Sequence, residues 1–160
     1  MNIYLIRHGD AEKVSIGKKD FDRELTPAGR IKLKAAILSW KNLIKKFDNI
    51  ITSPLTRAVQ TANIIAEIYG AADRVLTDKK LSPGSRTESL IEIANSLEGE
   101  EIAFVGHQPD LSDFVSDLIS PKGANIDFKK GAIAKISFGN KVSTGRGTLE
   151  YLIPVSVFNS

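Results

Sequence analysis

The chain has 160 residues, of which 42% are hydrophobic and 26% charged, the composition of one folded domain over residues 1–160 rather than of a disordered or fibrous protein. Its net charge of +3 comes from lysines scattered through "KKDFDR", "KNLIKK", "DKK" and "FKK", not gathered into a basic stripe, which argues against nucleic acid as a partner. No apolar run approaches the roughly 20 residues of a membrane helix, "IYLI" lacks the flanks of a signal peptide, and there are no cysteines; the expectation is a cytoplasmic protein without membrane contact, disulfide or thiolate chemistry.

Residues 2–7, "NIYLIR", form a short β-branched and aromatic run without helical period and predict a buried strand. A polar segment, residues 10–24, follows. "LTPAG" then opens a helix, with Thr26 as N-cap, Pro27 at the first helical position, and Leu33, Ala36, Ile37, Trp40, Leu43, Ile44 and Phe47 recurring on one face. "NIIT" is a second strand. Ser53 and Pro54 repeat the cap-then-proline signal for a second helix, whose apolar face is Leu55, Ala58, Val59, Ala62, Ile65, Ala66 and Tyr69. A weak strand at "RVLT" precedes a helix over residues 87–97. "EIAFV" is the third strong strand and leads into a helix carrying Leu111, Phe114, Val115, Leu118 and Ile119. "AIAKISF" and "TLEYLIPV" flank the glycine-rich "GNKVSTGRG" and predict a hairpin. The alternation predicts an α/β fold: a mainly parallel sheet with helices on both faces.

In such sheets ligands bind beyond the carboxyl ends of the strands. Arg7 and His8 end the first strand, Ser53 to Arg57 follow the second, and His107 ends the third, so both histidines of the chain fall at that edge. Arg57 stands in the first turn of its helix, where the macrodipole is positive and a cation is disfavoured by about 0.3–1 kcal/mol, so an anion should compensate it. Two guanidiniums, helix N-termini and two imidazoles make a receptor for phosphate. A neutral imidazole in that setting can attack phosphorus, and the arginines both depress its pKa and stabilise the equatorial oxygens of the transition state. Gly9 would let the backbone approach the phosphate closely.

"LIRHG", "LTPAG", "SPLTRAVQTA" and "VGHQP", in this order over about three quarters of the chain, resemble the histidine phosphatase superfamily; the short chain and "RHGDAE" are similar to its SixA-like phosphohistidine phosphatase branch. The resemblance implies a phosphoglycerate mutase-like fold and a metal-independent phosphatase without a cofactor. Carried over by position, it implies His8 as phosphate acceptor, Arg7 and Arg57 on the phosphoryl oxygens, and His107 stabilising the transferring group, with Gly9 and Gln108 in substrate binding. It also implies a phosphorylated protein as substrate, of the kind found in phosphorelay or phosphotransfer systems.

Two positions depart from the wider family. Where many members carry a carboxylic proton donor after the second histidine, this chain has Gln108. The best other candidate acid is Glu88, although "SRTE", residues 85–88, also spells a capping box. Val14 replaces an asparagine typical of sugar-phosphate members. Expelling an alkoxide needs a proton, whereas a phosphorylated imidazole already protonated at its other nitrogen leaves as a neutral ring, so a missing acid favours phosphohistidine. The competing readings are a small-molecule phosphomonoesterase or phosphomutase with Glu88 as acid, and a non-catalytic phosphate-binding module. In the plainest reading, Arg57 pairs with Glu24 or Asp10 in an ordinary salt bridge.

Overall fold

The computed structural model describes residues 1–158. Strand β1 (Asn2–Arg7) lies inside a six-stranded sheet of order β3-β2-β4-β1-β5-β6, in which β2 is Asn49–Thr52, β3 Val75–Thr77, β4 Glu101–Gly106, β5 Ile133–Ser137 and β6 Thr148–Ile153. The first four strands in that order are parallel, with Ile3 opposite Ile102 and Arg7 opposite Gly106. The last two form the expected antiparallel hairpin against β1, with a register shift between Lys135 and Ile136.

The pleat of β1 divides its buried residues between two cores. Ile3 and Leu5 face one core, with residues of helices α3 (Thr87–Ser96) and α4 (Asp110–Ile119). Tyr4 and Ile6 face the other, with residues of α1 (Pro27–Trp40) and α2 (Thr56–Tyr69). Helices therefore cover both faces, as the alternation predicts. Both faces of the central strands are dry, so these strands read as continuous apolar runs instead of alternating ones.

Helix α1 starts as read: the Thr26 hydroxyl accepts from the Gly29 N–H at 2.9 Å, and Pro27 occupies the first position. It ends earlier than its apolar period suggests. The chain turns at Lys41, Leu43 is exposed, and Ile44 and Phe47 reach the core from the connection to β2. Burial alone can imitate helical period when a loop folds back over the same core.

Candidate active site

The carboxyl ends of β1, β2 and β4 lie side by side, and the turns leaving them bring Arg7, His8, Arg57, His107 and Gln108 to one open cleft of about 330 Å³. Asp20, Arg23, Pro83 and Lys130 complete its lining.

His8 is buried and held at both ring nitrogens. Its Nδ1 lies 2.8 Å from the Gly9 carbonyl oxygen, which can only accept, so Nδ1 carries the proton and Nε2 presents a lone pair. Arg57 Nε donates to that lone pair at 3.3 Å. Burial pushes the His8 pKa down to about 3, and His107, Arg57 and Arg7 press in the same direction. At neutral pH the ring is thus neutral, with a defined tautomer and a lone pair at Nε2 that could act as a nucleophile.

His107 faces His8 with ring centroids 5.2 Å apart. Its Nε2 bonds Ser53 Oγ at 2.7 Å, while its Nδ1 is buried without a partner among the described residues. Burial, with Arg57 adding to it, lowers its pKa to about 4. Ser53 departs from its expected capping role: α2 begins only at Thr56, the N-cap position is Leu55, and the Ser53 hydroxyl accepts from the Leu55 N–H at 3.3 Å while gripping His107.

Arg57 is held through each of its three guanidinium nitrogens, with two of its five N–H groups left over. Besides His8, its Nη1 donates to the Asp20 carbonyl at 2.8 Å and its Nη2 to the Asp20 carboxylate at 3.1 Å. Its ion-pair partner is therefore Asp20, not Glu24 or Asp10. Asp10 pairs with Lys130 at 2.8 Å, and Glu24 accepts from Gln60. Arg23 donates to the other Asp20 oxygen at 2.7 Å, and this bond, followed by those from Arg57, holds the Asp20 carboxyl below the usual carboxylate range. Arg7 lines the cleft with Nη1 donating to the Phe128 carbonyl at 2.7 Å and Nε buried without a partner among the described residues.

Three candidate residues are placed differently from expectation. Gly9 does not line the cleft; its carbonyl orients His8, its N–H donates to Thr61 Oγ1, and a Cβ there would press on Leu25 and Leu33 at 3.3 Å. Gln108 borders the cleft, but its side-chain amide is turned to α4, accepting from the Ser112 N–H at 3.1 Å and donating to Ser112 Oγ at 2.6 Å. Glu88 lies outside: its side chain is 73% exposed and pairs with Arg86 at 3.2 Å. The neighbouring Thr87 is buried and donates to Asp117, which turns the next position of α3 toward solvent. The capping box does not form either, since Ser85 Oγ donates to the Lys80 carbonyl and Arg86 stands at the N-cap. The loop before α3 is instead pinned by Asp110, whose carboxylate accepts from the Gly84 and Ser85 N–H groups at 2.9 and 3.0 Å, close to the Pro83 wall of the cleft.

Asp20, Arg23, Lys130 and Ser53 were not legible as site residues. Asp20 and Arg23 sit in an irregular segment whose path periodicity does not report, and Lys130 is 120 residues from its partner Asp10. Among the described residues no group of three or more His, Asp or Glu is placed to hold a metal ion, and no helix is long and apolar enough to cross a membrane.

A mostly parallel sheet carrying two neutral imidazoles and converging guanidiniums at its carboxyl edge defines an α/β protein with a cationic cleft suited to an anion. The chain belongs to the histidine phosphatase superfamily (branch 1), whose family model matches residues 3–82. An uncharacterized protein of Picosynechococcus is 33% identical over 144 residues, covering 87% of this chain and 86% of its own. A phosphohistidine phosphatase SixA homolog of Haemophilus influenzae is 29% identical over 158 residues, covering 88% and 91%. The fold is similar to that of the protein histidine phosphatase SixA complexed with tungstate, with a TM-score of 0.83 and 22% identity over 98% of this chain and 99% of that one.

Proposed function

We propose that the protein is a metal-independent phosphohistidine phosphatase that removes phosphate from a histidine on another protein through a covalent intermediate on His8. The observation that carries this reading is the state of the His8 ring: Nδ1–H tied to the Gly9 carbonyl, and the unprotonated Nε2 turned to Arg57, whose Nε donates to its lone pair. In this mechanism Nε2 attacks phosphorus as the bond to the leaving nitrogen breaks, and Arg7 and Arg57 take the charge of the phosphoryl oxygens. Phosphorylated His8 keeps its Nδ1 proton on the Gly9 carbonyl, so it too leaves as a neutral ring when water attacks. His107, neutral and beside it, offers an N–H to a phosphoryl oxygen instead of a competing charge.

Two features support phosphohistidine over an ester. Among the described residues lining the cleft the sole carboxylate, Asp20, is held ionised by two arginines and cannot protonate an alkoxide; Glu88 stands outside. The segment over residues 10–24, read as polar, supplies Asp20 and Arg23 to the cleft and also exposes Val14, Ile16 and Phe21, apolar surface better suited to contact with a protein than with a sugar phosphate. The homology to a SixA homolog and the oxyanion held by the similar SixA structure agree with this.

Labelled phosphoramidate mixed with the protein and quenched in alkaline denaturant, where phosphorus–nitrogen bonds survive, should leave label on His8. His8→Ala should abolish both label and turnover, and full turnover in that variant would overturn the mechanism. Specificity constants should favour a phosphohistidine protein over sugar phosphates by about 10²–10⁴-fold, the usual worth of a general acid, with or without chelator.

A further inference from the structure

A carboxylate in a cleft built for an anion needs a reason. The negative charge of Asp20 opposes an anionic ligand, and its carboxylate occupies the guanidinium of Arg57. A purely orienting role would be met by its backbone carbonyl, which already receives Arg57 Nη1 at 2.8 Å. The carboxylate is 53% exposed, at the mouth of the cleft, and only one guanidinium separates it from the nucleophilic nitrogen: Arg57 donates to His8 Nε2 and to Asp20 alike. Each carboxylate oxygen has a second lone pair beyond those used by Arg57 and Arg23.

The two imidazoles of a histidine-to-histidine phosphoryl transfer have the same requirement. Each departs well only if its other nitrogen keeps a proton, and an acceptor must hold that proton in place. For His8 the acceptor is the Gly9 carbonyl at 2.8 Å. Among the side chains lining the cleft, Asp20 is the acceptor left for the substrate ring: Arg7, Arg23, Arg57 and Lys130 only donate, His107 has its Nε2 held by Ser53 and its Nδ1 buried, and the Gln108 amide is turned to Ser112.

Resting on the reading of the site as a phosphohistidine phosphatase, we propose that Asp20 is its leaving-group residue: its carboxylate accepts the N–H of the substrate imidazole and keeps that ring protonated as the phosphoryl group departs. The ring enters the step as a phosphorylated imidazolium. The bond between phosphorus and the ring nitrogen breaks with its electron pair left on that nitrogen, the bond from phosphorus to His8 Nε2 forms, and a neutral imidazole leaves with its remaining proton still bonded toward Asp20. This does for a nitrogen leaving group what a protonated acid does for an alkoxide, without Asp20 ever giving up a proton.

The test compares two substrates of one active site: a phosphohistidine peptide, whose leaving ring needs the carboxylate, and p-nitrophenyl phosphate, whose leaving group needs no proton. Asp20→Asn should lower kcat/KM for the peptide about 10- to 100-fold more than for the nitrophenyl ester, the worth of a hydrogen bond to a charged group. Asp20→Glu should recover part of the lost ratio. An equal fall on both substrates would reduce Asp20 to a residue that merely positions Arg57, and would overturn the proposal while leaving the His8 mechanism standing. Absence of label on wild-type His8 after alkaline quench with either substrate would instead remove the mechanism itself, and the role of Asp20 with it.

Discussion

His8 shows how much chemistry one contact can settle. The ring could carry its proton on either nitrogen; the Gly9 carbonyl selects Nδ1 and leaves the lone pair on Nε2, the atom that attacks in the proposed mechanism. The partner ring depends on Ser53 in the same way. If the Ser53 hydroxyl donates to His107 Nε2, the proton of the neutral ring lies on Nδ1, the nitrogen without a partner. Ser53→Ala would free both nitrogens and leave a buried acceptor unpaired, so we expect a fall in kcat of about 10- to 100-fold with little change in KM, and a loss of about 1–3 kcal/mol in stability. With only two histidines in the chain, the tautomer of His107 is readable directly by nitrogen NMR, and an unchanged tautomer in Ser53→Ala would contradict this role. Glu88 gives the opposite lesson at the same scale. It has the right residue type in the right region of chain, yet one position of helical rotation sends it to solvent.

At the level of elements, the segment between β1 and α1 is set by a close approach that a single methyl group would break. The Asp10 carbonyl accepts from the Thr26 N–H at 3.0 Å, and Ala11 bridges Leu25, closing the segment into a loop over the cleft. Gly29 lies in the first turn of α1, where a Cβ would stand 2.3 Å from the Asp10 oxygen and 2.9 Å from Thr26 Oγ1. Backbone cannot yield as a flexible side chain would. Gly29→Ala should therefore cost roughly 1–3 kcal/mol, by displacing the loop or the cap, and should lower kcat/KM through Asp20 and Arg57; denaturant midpoints and kinetics measured on the same variant would check both. The early end of α1 and the late start of α2 belong to this scale as well. Periodicity could not tell helix from a returning loop at Leu43 to Phe47, and Ser53 obeyed His107 rather than the helix that follows it.

Across the whole molecule, the two buried histidines couple folding to pH. Both are neutral in the fold down to about pH 3 for His8 and about 4 for His107, whereas in the unfolded chain they protonate near 6.5. The unfolded state thus binds more protons as pH falls below 6.5, and stability declines in that direction. From pH 7.5 to 5.0 the loss should approach roughly 2 kcal/mol for each histidine. Urea midpoints at the two pH values would measure it, and replacement of both histidines by glutamine should flatten the dependence. A wild-type midpoint that does not move would show that these rings are hydrated and not buried. The same burial that keeps His8 neutral, as the proposed attack requires, thus makes the fold sensitive to acid.

The amino-acid sequence by itself determined the strands, the helix start at Pro27, the helix carrying Leu111 and Phe114 after the third strong strand, the hairpin, and the gathering of Arg7, His8, Arg57 and His107 at one sheet edge. These follow from local burial pattern and from the rule that successive parallel strands point the same way, both of which are written along the chain. Only the tertiary structure decided that Arg57 is held by Asp20, that Gly9 serves through its carbonyl, that Gln108 turns to Ser112, and that Glu88 lies outside. Each of those outcomes depends on where an irregular segment passes in space and which hydrogen-bonding group it meets there, and no periodicity encodes that path.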